Sequence, residues 1–440
     1  MSHRRLTLVA LPLTVVWVAC AHPAPRAKSD ADVVIAAPGS DPVVRDQDIA
    51  FYQKRLLEDP ESAADRSRLA LLFLARSREA GNFADVQRAE SLAIESLHLR
   101  ESHNSGTFTI LASARLASHD FRGALDAARR LVATDPTSPT SRALLGEILL
   151  EIGQYDEART IFTSLEANTR QLSVASRLAR WYELTGRIDQ ARSVARYAAR
   201  LARTDGGLTR EQIAWFHLRL GDLALKSGDL HGADSAYTLG LTIFAGDYRI
   251  EAAQARLASA RGDWRSAIAF GEQAIAVQLD PGTLGIMADA WMALGDTAQS
   301  ASYARAMTVS ALKPPGPIHR AWGLFLIDHG QRTDDVLRRV RKEQITRKDV
   351  YGDDLLAWTL HARGDDRGAW RAMQRALSQG TEDAQIAYHA AEIARALGNI
   401  PEAERQAGRV LAFNPHYRSY RSAGSAVMAH AAPTLSNTGR

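Results

Sequence analysis

The chain has 440 residues, and its 54 basic and 50 acidic side chains leave a net charge of only +4, with no large single-sign field. Hydrophobic residues make up 46% but aromatics only 7%, and Ala and Leu dominate the apolar set, which favours helices over β-rich folds. The single cysteine, Cys20, excludes internal disulfides, cysteine-based metal sites and a catalytic thiol in the rest of the chain. Arginines are spread along the length and interleaved with acids, a pattern that argues against a nucleic-acid partner.

At the amino terminus, Arg4 and Arg5 precede the apolar run Leu6–Val18, which Pro12 interrupts before Ala19 and Cys20. Basic start, short apolar centre and small residues at the end describe a secretory signal over residues 1–19, too short to span a bilayer. Two cleavage readings stand. Trp17-Val18-Ala19-Cys20 resembles a bacterial lipobox, with Trp17 where Leu is usual, and implies lipidation of Cys20. Ala19-Cys20-Ala21 also suits ordinary signal peptidase, which would release a soluble protein. Residues 20–45, rich in Pro, Ala and small polar residues, read as a lipid-anchor cysteine with a flexible tether.

A leading cap helix is expected within residues 46–66, and from there the chain repeats itself. The clearest unit is LLGEILLEIGQYDEARTIFTSL, residues 144–165. Aligned on its turn, the series runs Gly81, His119, Gly153, Gly186, Gly228, Gly262, Gly295, Gly330, Gly364 and Gly398, with most intervals at 33–35 residues. A turn Gly can end a first helix in a left-handed conformation. Five residues later a small Ala (Ala158, Ala191, Ala233, Ala267, Ala369, Ala403) lets the second helix pack closely. Seven residues before the turn another small residue (Gly146, Ala179, Gly221, Ala255) serves the same approach from the first helix. Asp135-Pro136, Asp280-Pro281 and Asn414-Pro415 close second helices.

This period and residue pattern resemble the tetratricopeptide repeat. The resemblance implies an all-α, right-handed solenoid of about ten helix pairs over residues 67–416, with a closing helix and disordered tail at 417–440. Two irregular places are expected hinges or partner-facing irregularities: the insertion Thr204–Gln212, and repeat 8, with Asp335 in place of Ala and Pro314-Pro315-Gly316-Pro317 before it. Segments 214–225 and 349–364 also resemble exported bacterial proteins of this class with no established biochemical role.

The resemblance further implies that first helices line a concave groove at fixed distances before each turn. Those offsets give Glu147, Glu151, Arg180, Glu183, Trp215, Asp222, Lys226, Arg256, Asp289, Arg320 and Asp328. In repeats 9 and 10 they give Asp354, Trp358, His361, Tyr388, Glu392 and Arg395. The last group combines two aromatics with both charge signs, as binding anchors do, and is the expected first contact for a partner peptide or protein. Arg338, Arg341 and Lys342 share a helical face, extended by Arg347 and Lys348, and could meet an anionic partner or lipid headgroups.

No phosphate loop, nucleophile elbow, H-E-x-x-H or C-x-x-C occurs. The histidines are scattered; His98 with His103, and His389 with Glu392, fall short of a metal-ligand set. Asp353-Asp354 and Asp365-Asp366 read as helix caps rather than acid–base pairs. The expectation is therefore a protein without catalytic activity, cofactor or metal, a scaffold or adaptor at the bacterial cell envelope. The alternative is a recognition or regulatory subunit of a separately encoded envelope enzyme.

Overall fold

The computed structural model describes residues 40–313 and 318–418. Among these there are 21 α-helices and no strand. A leading helix α1 (Ser40–Glu58) precedes ten antiparallel pairs. The first five are α2 (Ala63–Ala80) with α3 (Phe83–Leu99), α4 (Ser105–Ala117) with α5 (Phe121–Thr134), α6 (Pro139–Glu151) with α7 (Tyr155–Leu165), α8 (Leu172–Leu184) with α9 (Ile188–Thr204), and α10 (Arg210–Lys226) with α11 (Leu230–Ile243). The second five are α12 (Tyr248–Arg261) with α13 (Trp264–Val277), α14 (Pro281–Ala293) with α15 (Thr297–Leu312), α16 (Arg320–Asp328) with α17 (Thr333–Glu343), α18 (Val350–Ala362) with α19 (Asp366–Ala376), and α20 (Ala384–Ala396) with α21 (Ile400–Phe413). The chain is an all-α solenoid, as the period requires.

The third pair shows why the residues fold this way. Ser138 caps α6 by accepting from the Ser141 amide, and Pro139 opens the helix where no amide donor is needed. At Gly146 a Cβ would stand 2.8 Å from the Phe162 ring of α7, and Ala158 is fully buried beside it. Small residues at these two positions let the helices approach, and a large one would overpack the contact by about 1–3 kcal/mol. His119 keeps the turn conformation without being Gly: its φ is +59°.

Helix α1 begins at Ser40, inside the stretch expected to be tether, and α2 already starts at Ala63, so the leading cap is shorter and earlier than 46–66. The insertion at 204–212 is no hinge by its local structure. Both flanking helices have lengthened to 17 residues, and Thr209 with Gln212 forms a reciprocal capping box at the start of α10. The Pro314–Pro317 run, the closing helix, the signal and Cys20 lie outside the described residues.

Stacking is not confined to neighbours. Six early turns lie against residues between 156 and 226 positions further along the chain, forming a seam. The Lys348 amide donates to the Ile152 carbonyl at 3.2 Å, and the Val350 amide to Tyr155 Oη at 2.8 Å. Thr381 Oγ1 donates to the Leu184 carbonyl at 2.5 Å, and Asn414 Nδ2 to that of Leu225 at 3.3 Å. Gly81 lies against Gln278, Gly228 against Pro415 and Gly262 against Arg418, while the Arg347 guanidinium sits 4.5 Å above the Phe121 ring just after the His119 turn. The later turn glycines, Gly295, Gly330, Gly364 and Gly398, face open space.

Candidate interaction surfaces

The seam consumes many of the side chains assigned to an open groove. Most sit in the later part of a first helix, where the chain's own later residues arrive, while Arg320 opens α16. Glu151 Oε2 pairs with Arg347 at 2.7 Å, and Arg347 also reaches Asp349 at 2.8 Å and Glu343 at 3.3 Å. Arg320 pairs with Asp349 as well. Arg180 binds Glu183 at 2.9 Å, and Lys226 binds Glu183 at 3.0 Å and Asp383 at 3.1 Å. Tyr351 lies at the centre: Lys226 Nζ donates to its hydroxyl at 2.8 Å, and Arg180, Lys226 and Arg320 stand 5.4–6.0 Å from its ring centroid. Further along the same face, Asp222 accepts from Tyr237 Oη at 2.9 Å and pairs with Arg219 and Arg256.

These contacts decide the protonation of the buried groups. Burial alone would raise the Glu183 carboxyl, but Arg180, Lys226 and Arg219 overcome it and hold the group well below the ordinary carboxylate range. Burial likewise opposes the charge of Lys226, and Tyr351, Asp383 and Glu183 outweigh it, so its ammonium is held more strongly than usual. Asp349 is lowered in the same way by Arg320 and Arg347. Glu183, Lys226 and Asp349 are thus held in their charged forms.

In repeats 9 and 10 one of the two expected aromatic anchors is core. Trp358 is 1% exposed, stacks on His389 at 4.1 Å and donates from Nε1 to Asp328 at 2.8 Å. His389 shares a 2.8 Å hydrogen bond with Asp354, and both are buried. Burial pushes the Asp328 carboxyl up. The expectation that Asp354 and Trp358 face an open groove is thus corrected. Their helix turns them into the contact between repeats 9 and 10, where a large ring fills volume that Ala and Leu leave. Tyr388 is half-buried, tilted between Trp358 and Tyr417. His361 pairs with Asp366 at 2.6 Å, Asp289 with His329 at 3.0 Å, and Glu392 with Arg395 on an accessible face. Trp215 is half-buried, edge-on to Phe216, and Glu147 pairs with Arg177 at 2.7 Å.

The basic face of α17 divides. Arg338, Arg341 and Lys342 are exposed, with Arg338 held 3.1 Å from Asp335. Arg347, expected to extend them, is instead buried in the seam. Among the described residues no group of three or more His, Cys, Asp or Glu is placed to hold a metal ion, and no helix is long and apolar enough to cross a membrane.

One concavity remains on the first-helix faces of repeats 1 and 2, a cavity of about 500 Å³. Arg68 and Leu71 of α2, Gly106 and Thr109 of α4, and Arg100 and His103 from the intervening loop line it, with no carboxylate among its lining residues. A shallower hollow of about 650 Å³ opens between α1, α2 and α3.

With this geometry in place, residues 115–174, covering α5, α6 and α7 with their flanks, match the family model of the tetratricopeptide repeat. The chain carries tetratricopeptide repeats. No curated protein matches it. Among solved structures it is similar to PilW, a type IV pilus biogenesis factor, at 18% identity over 49% of this chain and 96% of that one, with a TM-score of 0.39. It is also similar to PilF of Pseudomonas aeruginosa at 19% identity, covering 52% and 91%, TM-score 0.33. The APC/C hetero-tetramer Cut9-Hcn1 covers more, 88% and 94%, at 11% identity and TM-score 0.34. At such scores these likenesses carry no functional argument.

Groove positions in the later repeats include residues 13 and 10 before the turn, such as Trp215 and Tyr388. Counted back from Gly81 and His119, the same offsets give Arg68, Leu71, Gly106 and Thr109, the walls of the cavity. The signal was present in the sequence. What the sequence does not display is the later half of the chain arriving at repeats 3–5, because repeat periodicity encodes neighbours and not partners some 195 residues away.

Proposed function

We propose that the chain is a non-catalytic scaffold that holds other proteins at the bacterial cell envelope, and that its first two repeats are the primary contact for a partner segment. The observation that carries this reading is the cavity between α2 and α4. There the first-helix face is uncovered, concave and lined by Arg68, Arg100 and His103 around the apolar Leu71. A partner peptide with acidic and apolar side chains suits that lining. In repeats 3–5 the charged first-helix side chains nearer the turns are already paired within the chain, so a partner there would have to displace buried ion pairs. Tyr388, Glu392 and Arg395 supply a secondary accessible face in repeat 10.

Export and lipidation at Cys20 complete the reading, since a signal and tether would carry the solenoid to a membrane surface. The test is site-specific photocrosslinking in cells. A crosslinker at Thr109 should trap one principal partner, and the yield should fall at least tenfold when Arg68 and Arg100 are both changed to Glu. Equal capture from Thr109 and from Arg395, insensitive to that charge reversal, rejects the assignment. Cys20→Ala should abolish fatty-acid labelling and free the protein from membranes.

A further inference from the structure

We infer that the chain associates head to tail with a second copy of itself, the uncovered turn edge of its last repeats seating on the uncovered loop edge of the partner's first repeats. The seam supplies the precedent. Within one chain, the turn edge of repeats 1–6 already rests on the loop edge of repeats 6–10 through backbone donors, close-approaching glycines and ion pairs.

Among the described residues that contact runs as far as Arg418, which lies against Gly262. Gly81, Gly153, Gly186 and Gly228 are at least half-buried, each within reach of a later residue, whereas Gly295, Gly330, Gly364 and Gly398 are all exposed, with no described residue within 4 Å of the Cβ position. Beside some of these turns the flanking residues differ too, although Phe83, beside covered Gly81, is itself 46% exposed. Ile152, Thr185 and Ser227, next to covered turns, are half-buried. Next to uncovered turns stand Leu294 (40% exposed), Leu397 (37%) and Ile400 (49%). Apolar side chains at a solvent edge, in the position that the earlier repeats cover, are what a continuing interface leaves at its open end.

The complementary edge is open at the other end of the array. Leu57 (83% exposed) closes α1 and Leu99 (39%) closes α3, both beside the loops that enter first helices. The two edges are different surfaces, so the association is heterologous and can extend beyond two copies.

Sedimentation of the full chain carrying Cys20→Ala, which removes any acyl group, tests this from low to high micromolar concentration. Its weight-average mass should rise with concentration. Leu294→Asp with Leu397→Asp (turn edge) should remain monomeric, and so should Leu57→Asp with Leu99→Asp (loop edge). An equimolar mixture of the two variants should form a one-to-one dimer, because each retains the edge the other lacks. All four residues are exposed, so melting by circular dichroism should be unchanged; if the Asp variants melt early, the same positions changed to Ser carry the test. A monomeric parent at every concentration, association of either variant at parental strength, or a mixture with no dimer overturns the inference.

Discussion

Gly186 and Gly380 meet across the seam so closely that a Cβ on Gly186 would lie 2.2 Å from the Gly380 carbonyl oxygen. Gly186 also has a φ of +67°, so two separate constraints fall on one residue. Gly364 shares the backbone constraint, at +79°, but not the close contact. Gly364→Ala should therefore cost about 1 kcal/mol from the left-handed backbone alone. Gly186→Ala should cost about 3 kcal/mol, because relieving the contact means moving backbone. Urea denaturation of both variants compares them directly, and equal losses would mean the seam is not formed in solution.

Arg347 joins Glu151, Glu343 and Asp349 and covers the Phe121 ring. Removing it leaves buried carboxylates with too few cations, so Arg347→Ala should lower stability by about 3 kcal/mol. Arg347→Lys should recover only part, since a single ammonium cannot match a planar fork serving three carboxylates. Chemical denaturation of the pair measures this; full recovery by Lys would reduce the contact to simple charge.

Trp358→Ala should be a stability mutation. A ring with 1% exposure, stacked on His389 and bonded to Asp328, leaves a cavity costing about 3–5 kcal/mol when truncated. Tyr388→Ala, at a half-buried position, should cost only about 1 kcal/mol. Differential scanning calorimetry separates the two, and an unchanged melting temperature for Trp358→Ala would restore Trp358 as an accessible anchor.

His217 is buried, and burial, with nearby Arg203, lowers its pKa from 6.5 to about 4. The unfolded chain therefore binds this proton more readily between those values, and stability present at pH 7 is lost as pH falls through the window. The loss is about 3 kcal/mol at most from this one group. His217→Phe should flatten that part of the profile of melting temperature against pH. An identical slope in the variant would place the pH dependence elsewhere.

Most of the fold was legible from Gly, Ala and Pro positions, because each does a local job: ending a helix, allowing close approach, or opening the next helix. The left-handed turn at His119 shows that position can outweigh residue type. The groove was only partly legible. Offsets from a turn specify which way a side chain leaves its helix, but not what meets it there. Lys226 leaves its helix as expected, and finds Tyr351 and Asp383 of the same chain. Trp358 and Asp354 were misassigned because a helix with buried residues on most of its circumference offers no polar face to distinguish inside from outside.

A linear array that touches only its neighbours can fold from any starting point and unravel repeat by repeat. The bond between Thr381 and Leu184 removes that freedom. It joins positions 197 residues apart, so this part of the molecule cannot be completed until more than four-fifths of the polypeptide has emerged from the ribosome. Loss of the final pairs in turn withdraws support from repeats near the beginning. Folding should accordingly show a fast phase that forms helix pairs and a later, slower one that closes the distant contacts, with contact order setting the gap. Pulled from its carboxyl end, the array should yield in a large cooperative step and not in single-repeat increments.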